Sequence, residues 1–291
     1  MILLTGATGL VGTALLRRLT PRGELVRCLV RDPRRLGPER VRVNIALGDL
    51  ADPPSFRNAL RGVRTVVHLA ASIRDQPQGS IEELNGIATW RLVQAAERAG
   101  VEHFVFFSAL SASVHDRTRF LRAKALAEQA VRESALRTTV FAPSIVYAPG
   151  DPYVALLERL SLLPVMPVPG RGTALYQPIW AEDAADCVMA VLDGGGRSRR
   201  YELAGPDTIS HEGIVALVAR AAGRERPRVS VPAPVVRATL RAAEALLKSK
   251  APATWDEAEL LEVSMTSRKG TADAEALGVS PRPMAAVLGA R

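Results

Sequence analysis

The chain has 291 residues, 47% of them hydrophobic and 23% charged, a composition typical of a folded globular protein. Its formal charge of +8 comes mainly from arginines spread along the chain, without the basic, aromatic-interleaved stripe or module signature of a nucleic-acid-binding protein. Neither a membrane-spanning apolar run nor a secretory signal is present, so we expect a soluble cytoplasmic protein. Cys28 and Cys187 lie in apolar segments and are expected to be buried, reduced thiols. These cysteines and the four histidines lack metal-ligand spacing, so no metal site is predicted.

Short apolar segments alternate with amphipathic segments through the first half of the chain. Continuous apolar runs are typical of strands buried on both faces, and apolar residues three and four apart are typical of helices. This alternation predicts an α/β fold with a doubly wound parallel sheet. The predicted strands are MILLT, LVRCLV, VRVNIAL, VRTVVHLA, HFVFFSA and TTVFA, and the predicted helices are LVGTALLRRL, PPSFRNAL, IEELNGIATWRLVQAAERAG and RFLRAKALAEQAVRES.

The pattern loosens after about residue 145, where Pro and Gly become frequent. AEDAADCVMAVLDGG predicts a helix, RYELAG a short strand, and SHEGIVALVARAAG a helix with Ser210 as its N-cap and Gly223 at its end. We therefore predict a core over residues 1–145 and a smaller C-terminal lobe over residues 146–291, with segments that return to the sheet.

A basic amphipathic segment, PVVRATLRAAEALLKSK, covers residues 234–250. Such a helix can lie on an anionic membrane surface, or it can pack on a core or cap a pocket. Packing is the interpretation we favour, because the acidic WDEAELLEV follows directly, and we expect Trp255 to anchor the tail. The apolar face holds Val236, Leu240, Ala243 and Leu247, and the basic residues elsewhere on the helix are Arg237, Arg241 and Lys248.

A glycine-rich loop, TGATGLVG, joins the first predicted strand to the first helix. Glycine lets backbone amides approach a pyrophosphate closely and lets the helix pack tightly on the strand. The helix N-terminus then directs its free N–H groups and positive dipole end toward the anion. The position between a strand and a helix predicts a dinucleotide site, although turns also use glycine. The residues predicted to contact the dinucleotide here are Gly6, Thr8, Gly9, Leu10, Val11 and Gly12.

The end of the second strand bears on the choice of dinucleotide. An NAD site usually has a carboxylate there that binds the ribose hydroxyls, whereas this chain has Arg31, followed by Asp32, Arg34 and Arg35. A guanidinium can stack on adenine and pair with a 2′-phosphate. We therefore predict NADP(H) in preference to NAD(H), the alternative being a solvated basic turn in an arginine-rich chain.

Two further segments complete the predicted cofactor site. Asp49 and Leu50 follow the third strand, where the carboxylate can accept a hydrogen bond from the adenine amine. Ala70 and Ala71 follow the fourth strand and are small enough to let the backbone pass beneath the dinucleotide.

These motifs resemble the extended and atypical short-chain dehydrogenase/reductases of the NAD-dependent epimerase/dehydratase superfamily. The resemblance is to the branch that contains NmrA-like proteins and the nucleotide-binding accessory subunit of respiratory complex I. It extends over nearly the whole chain and implies a Rossmann-type sheet with a C-terminal lobe that covers a substrate. The matching segments are TGATGLVG, LVRDPRR, GDLAD, VVHLAA, LNGIATWRLVQAAERAGVEHFVFFSAL, FLRAKALAEQAVRES, FAPSIVYAPGD, PVPGRGTALYQPIWAEDAA, YELAGPDTIS and DAEALGVSPRPMAAVL.

The resemblance also implies catalytic residues, and here the chain departs from the family. Active members carry a serine after the fifth strand and a Tyr-x-x-x-Lys on the next helix. Ser108 and Lys124 match the serine and the lysine, but Phe120 occupies the tyrosine position. Asn85 matches an asparagine in the family's fourth helix, and Pro143 and Ser144 match the segment beside the nicotinamide.

Phenylalanine cannot transfer a proton, so the usual acid is missing. Lys124 can still hold the nicotinamide ribose, and Ser108 can still hydrogen-bond a carbonyl or simply close a strand. His115, Asp116, Tyr147 and Tyr153 are possible replacements for the tyrosine, but no spacing argument selects one of them. Two functions stay open. One is an NADP(H)-dependent oxidoreductase for a small organic substrate, and the other is a non-catalytic nucleotide-binding redox sensor or a respiratory-complex accessory or assembly protein.

Overall fold

The computed structural model describes residues 1–194, 198–247, 251 and 253–289. Within them, a seven-stranded sheet has the order β3-β2-β1-β4-β5-β6-β11, and all neighbouring strands are parallel. The order reverses beside β1, so the sheet is doubly wound, and the predicted fold class is confirmed. The strands are β1 (Ile2–Thr5), β2 (Val26–Val30), β3 (Asn44–Leu47), β4 (Thr65–His68), β5 (His103–Phe107), β6 (Arg137–Pro143) and β11 (Arg199–Leu203).

Helices cover both faces of this sheet. Alternate residues of a strand point to opposite faces, and in β1 Leu4 joins a core cluster on one face while Leu3 joins a second cluster on the other. The Leu4 face packs against α1 and α6, and the Leu3 face packs against α3 and α4. The helices are α1 (Leu10–Leu19), α2 (Pro53–Phe56), α3 (Ala88–Arg98), α4 (Arg119–Arg132), α5 (Pro152–Leu160), α6 (Ala181–Asp193), α7 (His211–Ala221), α8 (Ala233–Leu247), α9 (Trp255–Leu260), α10 (Ala272–Glu275) and α11 (Met284–Gly289).

A further core lies at the carboxyl ends of the strands. It combines Ala109 and Leu110, which follow β5, with buried residues from α5 and α7 such as Val154 and Ile214. Three short strand pairs frame it: β7–β10 and β8–β13 are parallel, and β9–β12 is antiparallel. These strands are β7 (Val146–Tyr147), β8 (Met166–Pro169), β9 (Leu175–Tyr176), β10 (Ile179–Trp180), β12 (Ile209–Ser210) and β13 (Arg228–Val231).

Several local predictions are confirmed. The Ser210 side chain caps α7 by accepting the Gly213 amide at 3.0 Å, and Gly223 follows the helix with a φ of 70°. Cys28 and Cys187 are buried, free thiols, and burial raises the pKa of each to about 12. None of the described helices has the length and apolarity needed to cross a membrane.

Helix α8 packs beside α9. The Arg237 guanidinium lies over the Trp255 ring, and the Trp255 amide donates to Glu244. Val236 and Leu240 on the predicted apolar face are half-buried. The predictions for Lys248 and for the Leu247 side chain lie outside the described residues.

Candidate dinucleotide-binding site

The glycine loop is shaped by two close backbone approaches. Gly6 follows β1 with a φ of +72°, and a Cβ on it would lie 2.6 Å from the Ala70 amide nitrogen. A Cβ on Gly12 would lie 2.2 Å from the Gly6 carbonyl oxygen. Neither position can therefore carry a side chain without displacing backbone. The loop is held in the tight form that brings its amides near a phosphate.

Helix α1 begins directly behind this loop. Its N-cap is Gly9, which has no side chain to bond the amides of the first turn. Val11 and Gly12 are buried, and Leu10 is half-buried against the α1 face of the sheet. The uncapped N-terminus concentrates N–H donors and the positive end of the helix dipole beside the loop. The glycines and the uncapped helix thus fit a pyrophosphate.

The loop after β4 lies against the glycine loop. The Gly6–Ala70 contact fixes this neighbourhood, with Ala70 half-buried and Ala71 exposed. Asn85 secures the next residue, because its side chain accepts from the Ser72 amide at 3.1 Å and donates to the Ser72 carbonyl at 2.7 Å. Asn85 lies in a π-helical turn, Glu83–Ile87, a rare conformation that often occurs at functional sites. Its contacts give it a positioning role.

A buried hydrogen-bonded chain, not foreseen from the sequence, runs beneath these loops. Thr5 Oγ1 contacts His68 Nδ1 at 2.6 Å, and His68 Nε2 contacts Thr89 Oγ1 at 2.9 Å. Burial, helped by the charge of Lys124, lowers the pKa of His68 to about 3, so the ring is neutral. These hydrogen bonds tie β1 to α3 through β4, and they begin at Thr5, the residue directly before Gly6 of the glycine loop.

Arg31 follows β2, the strand that pairs with β1, and is exposed. Its contact with Gln78 Oε1 is long, at 3.4 Å. Asp32 is occupied differently, because one of its carboxylate oxygens accepts the Arg34 amide at 2.9 Å and caps the following turn. Arg34 and Arg35 are exposed on that turn. The end of β2 therefore presents guanidinium groups to solvent while its carboxylate holds the backbone.

Asp49 and Leu50 lie just beyond β3. Asp49 forms a small turn in which Oδ1 accepts the Ala51 amide at 3.0 Å and its own amide donates to Ser55. Leu50 is half-buried against the Leu3 face of the sheet. The turn fixes the Asp49 carboxylate at the edge of the sheet.

Ser108 and Lys124 are both buried and both contact protein groups. Ser108 Oγ donates to Glu128 Oε2 at 2.6 Å, and Glu128 Oε1 accepts from Arg200 Nε at 2.9 Å. The Lys124 ammonium donates to the Phe107 carbonyl and lies 4.4 Å from the centre of the Phe106 ring. Burial lowers the pKa of Lys124 to about 7, and the nearby Glu128 opposes that shift. The two residues meet at the end of β5, where Glu128 is the neighbour that they share.

Phe120 lies one turn before Lys124 on α4 and is half-buried against the core at the carboxyl ends of the strands. His115 is exposed, and Asp116 bonds the Thr118 amide at 2.7 Å at the start of α4. The hydroxyls of Tyr147 and Tyr153 are buried without a hydrogen-bond partner among the described residues, and burial raises the pKa of each.

Pro143 ends β6, and Ser144 follows it. The Ser144 hydroxyl donates to the Met265 carbonyl at 2.7 Å and accepts from the Gln177 amide at 3.1 Å. Its amide donates to the Leu203 carbonyl at 2.9 Å. Ser144 therefore ties β6 to three later segments of the chain, a role that its sequence neighbourhood did not reveal. No group of His, Cys, Asp and Glu that could hold a metal ion occurs in the described part of the chain.

Comparison with known proteins identifies the family. A family model described as NAD(P)H-binding matches residues 6–159, which include the glycine loop, Arg31, Ser108 and Lys124. The chain belongs to this NAD(P)H-binding family, and the resemblance noted from the sequence is confirmed. The fit of the glycine loop to a pyrophosphate agrees with a dinucleotide-binding protein.

Two relatives illustrate the range of the family. The chain is 31% identical over 252 residues to the mitochondrial NADH dehydrogenase [ubiquinone] 1 alpha subcomplex subunit 9 of Arabidopsis thaliana, covering 80% of this chain and 60% of that protein. It is 30% identical over 226 residues to an NAD(P)H azoreductase of Xenophilus azovorans, covering 77% and 74% of the two chains. The chain thus spans less than two thirds of the first relative.

A solved structure supports the fold. The NADPH-dependent quinone oxidoreductase QOR2 of Escherichia coli, complexed with NADPH, superposes with a TM-score of 0.77 over 100% of this chain and 99% of that one. At 18% sequence identity the likeness concerns the fold.

Proposed function

We propose that this protein is an NADPH-dependent reductase of small, electron-poor conjugated acceptors, such as quinones. The observation that carries this proposal is the combination of a well-formed glycine loop with Phe120 in place of an acid. In this scheme residues 1–145 bind the dinucleotide, and residues 146–291 cover the acceptor at the carboxyl ends of the strands.

The acceptor class follows from the missing proton donor. Bound NADPH would supply a hydride. A simple ketone reduced in this way becomes an alkoxide, the conjugate base of an alcohol about as weakly acidic as water, whose pKa is about 15.7. That product needs a neighbouring acid to protonate it, and the Phe120 side chain has no acidic proton. A reduced quinone is a phenolate, whose conjugate acid has a pKa of about 10 and which water can protonate.

The contacts of Ser108 support the same acceptor class. Its hydroxyl proton is directed to Glu128 at 2.6 Å, and that carboxylate is itself paired with Arg200. A serine whose proton is held by an ion-paired carboxylate is a poor donor to a substrate carbonyl. The similarity of the chain to proteins named an NAD(P)H azoreductase and an NADPH-dependent quinone oxidoreductase supports a reductase of conjugated acceptors.

The preference for NADPH rests on the end of β2. The exposed Arg31, Arg34 and Arg35 offer guanidinium groups to a 2′-phosphate. Asp32 would repel that phosphate if it faced the ribose, but its carboxylate accepts the Arg34 amide instead. In the proposed complex, the residues at the pyrophosphate are Gly6, Thr8, Gly9, Leu10, Val11 and Gly12, and the remaining contacts come from Asp49, Leu50, Ala70, Ala71, Lys124, Pro143 and Ser144.

A second function is favoured by one specific observation. Both Ser108 and Lys124 are engaged by protein groups, as suits a nucleotide-binding protein without turnover. The similarity to a respiratory-complex subunit points to an accessory role in an assembly.

Two measurements test the proposal in sequence. Calorimetric titration with NADPH, NADP+, NADH and NAD+ should give the tightest binding for the phosphorylated forms. NADPH oxidation should then be followed with a benzoquinone and with an aliphatic ketone. Turnover of the quinone without the ketone supports the reductase, and binding without turnover of either acceptor supports the accessory role. No binding of any dinucleotide contradicts both functions.

A further inference from the structure

An exposed apolar loop follows α5 in the C-terminal lobe. Leu162 is 63% exposed, Leu163 45% and Val165 39%, and the Pro164 between them is also exposed. Isolated exposed leucines are common on protein surfaces, but contiguous apolar side chains mark interaction sites. We call this segment, residues 162–165, the apolar loop.

Two arginines are bonded to the base of the apolar loop. Arg224 Nη1 donates to Ser161 Oγ at 3.3 Å, and Arg226 Nε donates to the Ser161 carbonyl at 3.2 Å. The Met166 amide, at the other end of the loop, donates to the Pro227 carbonyl at 2.9 Å. The segment that carries the arginines and the apolar loop therefore form one surface.

The charge of this surface is mainly positive. Arg220, Arg224, Arg226 and Arg228 line one groove with a single acidic residue, Glu225. Arg228 pairs with the neighbouring Glu212 at 3.0 Å. The hydrogen bonds of Arg224 and Arg226 go to neutral oxygens of Ser161, so these bonds do not neutralise their charges.

We infer that the apolar loop and its arginine border dock the protein on an anionic phospholipid surface. Guanidinium groups bind lipid phosphates at the headgroup level, and leucines beside them can enter the acyl boundary. An acidic protein would satisfy the arginines but would also need an apolar pocket for the loop. A bilayer supplies the negative charge and the apolar layer together. This docking site is independent of the proposed reduction, because dinucleotide binding involves other residues.

Co-sedimentation of the full chain with vesicles tests the inference. We expect binding to phosphatidylcholine vesicles containing about one third phosphatidylglycerol, loss of that binding at high salt, and weak binding to phosphatidylcholine alone. The double replacement Leu162→Ser and Leu163→Ser should weaken binding at least about tenfold. Arg220→Gln and Arg226→Gln should each weaken it about fivefold.

Matched controls separate this surface from general effects. Leu25→Ser and Leu246→Ser remove leucines that are 61% and 83% exposed elsewhere, and Arg42→Gln and Arg57→Gln remove other exposed arginines. These variants should bind vesicles like the wild type, and all variants should keep NADPH affinity and thermal stability. The inference is wrong if the wild type does not sediment with anionic vesicles, if it binds both vesicle types equally, or if the loop variants bind like the controls. If this surface binds an acidic protein instead, the wild type would not sediment with anionic vesicles.

Discussion

Replacement of Gly12 by alanine tests whether close packing shapes the glycine loop. Alanine is the better helix former by about 1 kcal/mol, so propensity alone predicts a more stable α1. The added Cβ, however, would lie 2.2 Å from the Gly6 carbonyl oxygen and 2.8 Å from Ala7 Cα. These are backbone atoms that cannot rotate away, and overpacking of this kind costs about 1–3 kcal/mol. We therefore expect Gly12→Ala to lower the free energy of unfolding by up to about 2 kcal/mol, the packing cost less the propensity gain, and to weaken NADPH binding at least about tenfold.

Gly86→Ala is the matched control. Gly86 is also helical, but its Cβ would meet the Ala123 carbonyl oxygen at an ordinary contact distance of 3.6 Å. This variant should be neutral or more stable by up to about 1 kcal/mol. Urea unfolding gives the stability of both variants, and calorimetry gives their NADPH affinity. If Gly12→Ala unfolds at the midpoint of Gly86→Ala and binds NADPH like the wild type, the packing argument is refuted.

Three further predictions concern the cofactor, the acid and a buried lysine. Arg31→Ala should weaken NADPH binding about tenfold or more and leave NADH binding nearly unchanged; calorimetry checks this, and equal losses for both nucleotides would contradict the phosphate contact. Phe120→Tyr should raise the turnover of an aliphatic ketone and leave quinone turnover nearly constant, as measured by NADPH oxidation; no gain would mean that Lys124 and Ser108 cannot support a phenol. Since burial lowers the pKa of Lys124 from 10.5 to about 7, the unfolded chain binds more protons between these values, and stability rises with pH by at most about 1.4 kcal/mol per unit. Chemical unfolding from pH 7 to about pH 8, below the ordinary thiol pKa of about 8.5, should show this slope in the wild type and not in Lys124→Met; equal slopes would mean that Lys124 keeps its charge.

Local patterns were sufficient to predict the central sheet. Most strands from β1 to β6 contain an apolar run between turn residues, and burial on both faces leaves that pattern directly in the sequence, whereas the edge strand β3 is largely exposed. The glycine loop could be predicted equally well, because the spacing of Gly6, Gly9 and Gly12 is typical of both the turn and the close helix packing. The sequence between β1 and β2 was thus enough to predict its local structure.

Contacts between distant segments were not predictable in the same way. The Ser144 hydroxyl bonds Met265, 121 residues later, and no local pattern specifies such a partner. The sequence left Ser108 either as a carbonyl contact or as a hydroxyl that closes the strand, and its hydrogen bond to Glu128 was not predictable. The Thr5–His68–Thr89 chain joins three buried polar residues, each of which looks like an ordinary strand or helix residue alone. Periodicity reports which face is buried, and it does not report what lies against that face.

The position of β11 has a consequence for synthesis of the chain. Residues 199–203 form the outer strand beside β6, so the sheet is not closed at that edge until these residues have left the ribosome. Until then β6 presents unpaired backbone groups beside the apolar Val140, Phe141 and Ala142, a surface that favours pairing with another chain. Residues 1–145 therefore hold six of the seven strands of this sheet, and a chain that ended there would leave the apolar edge at β6 exposed.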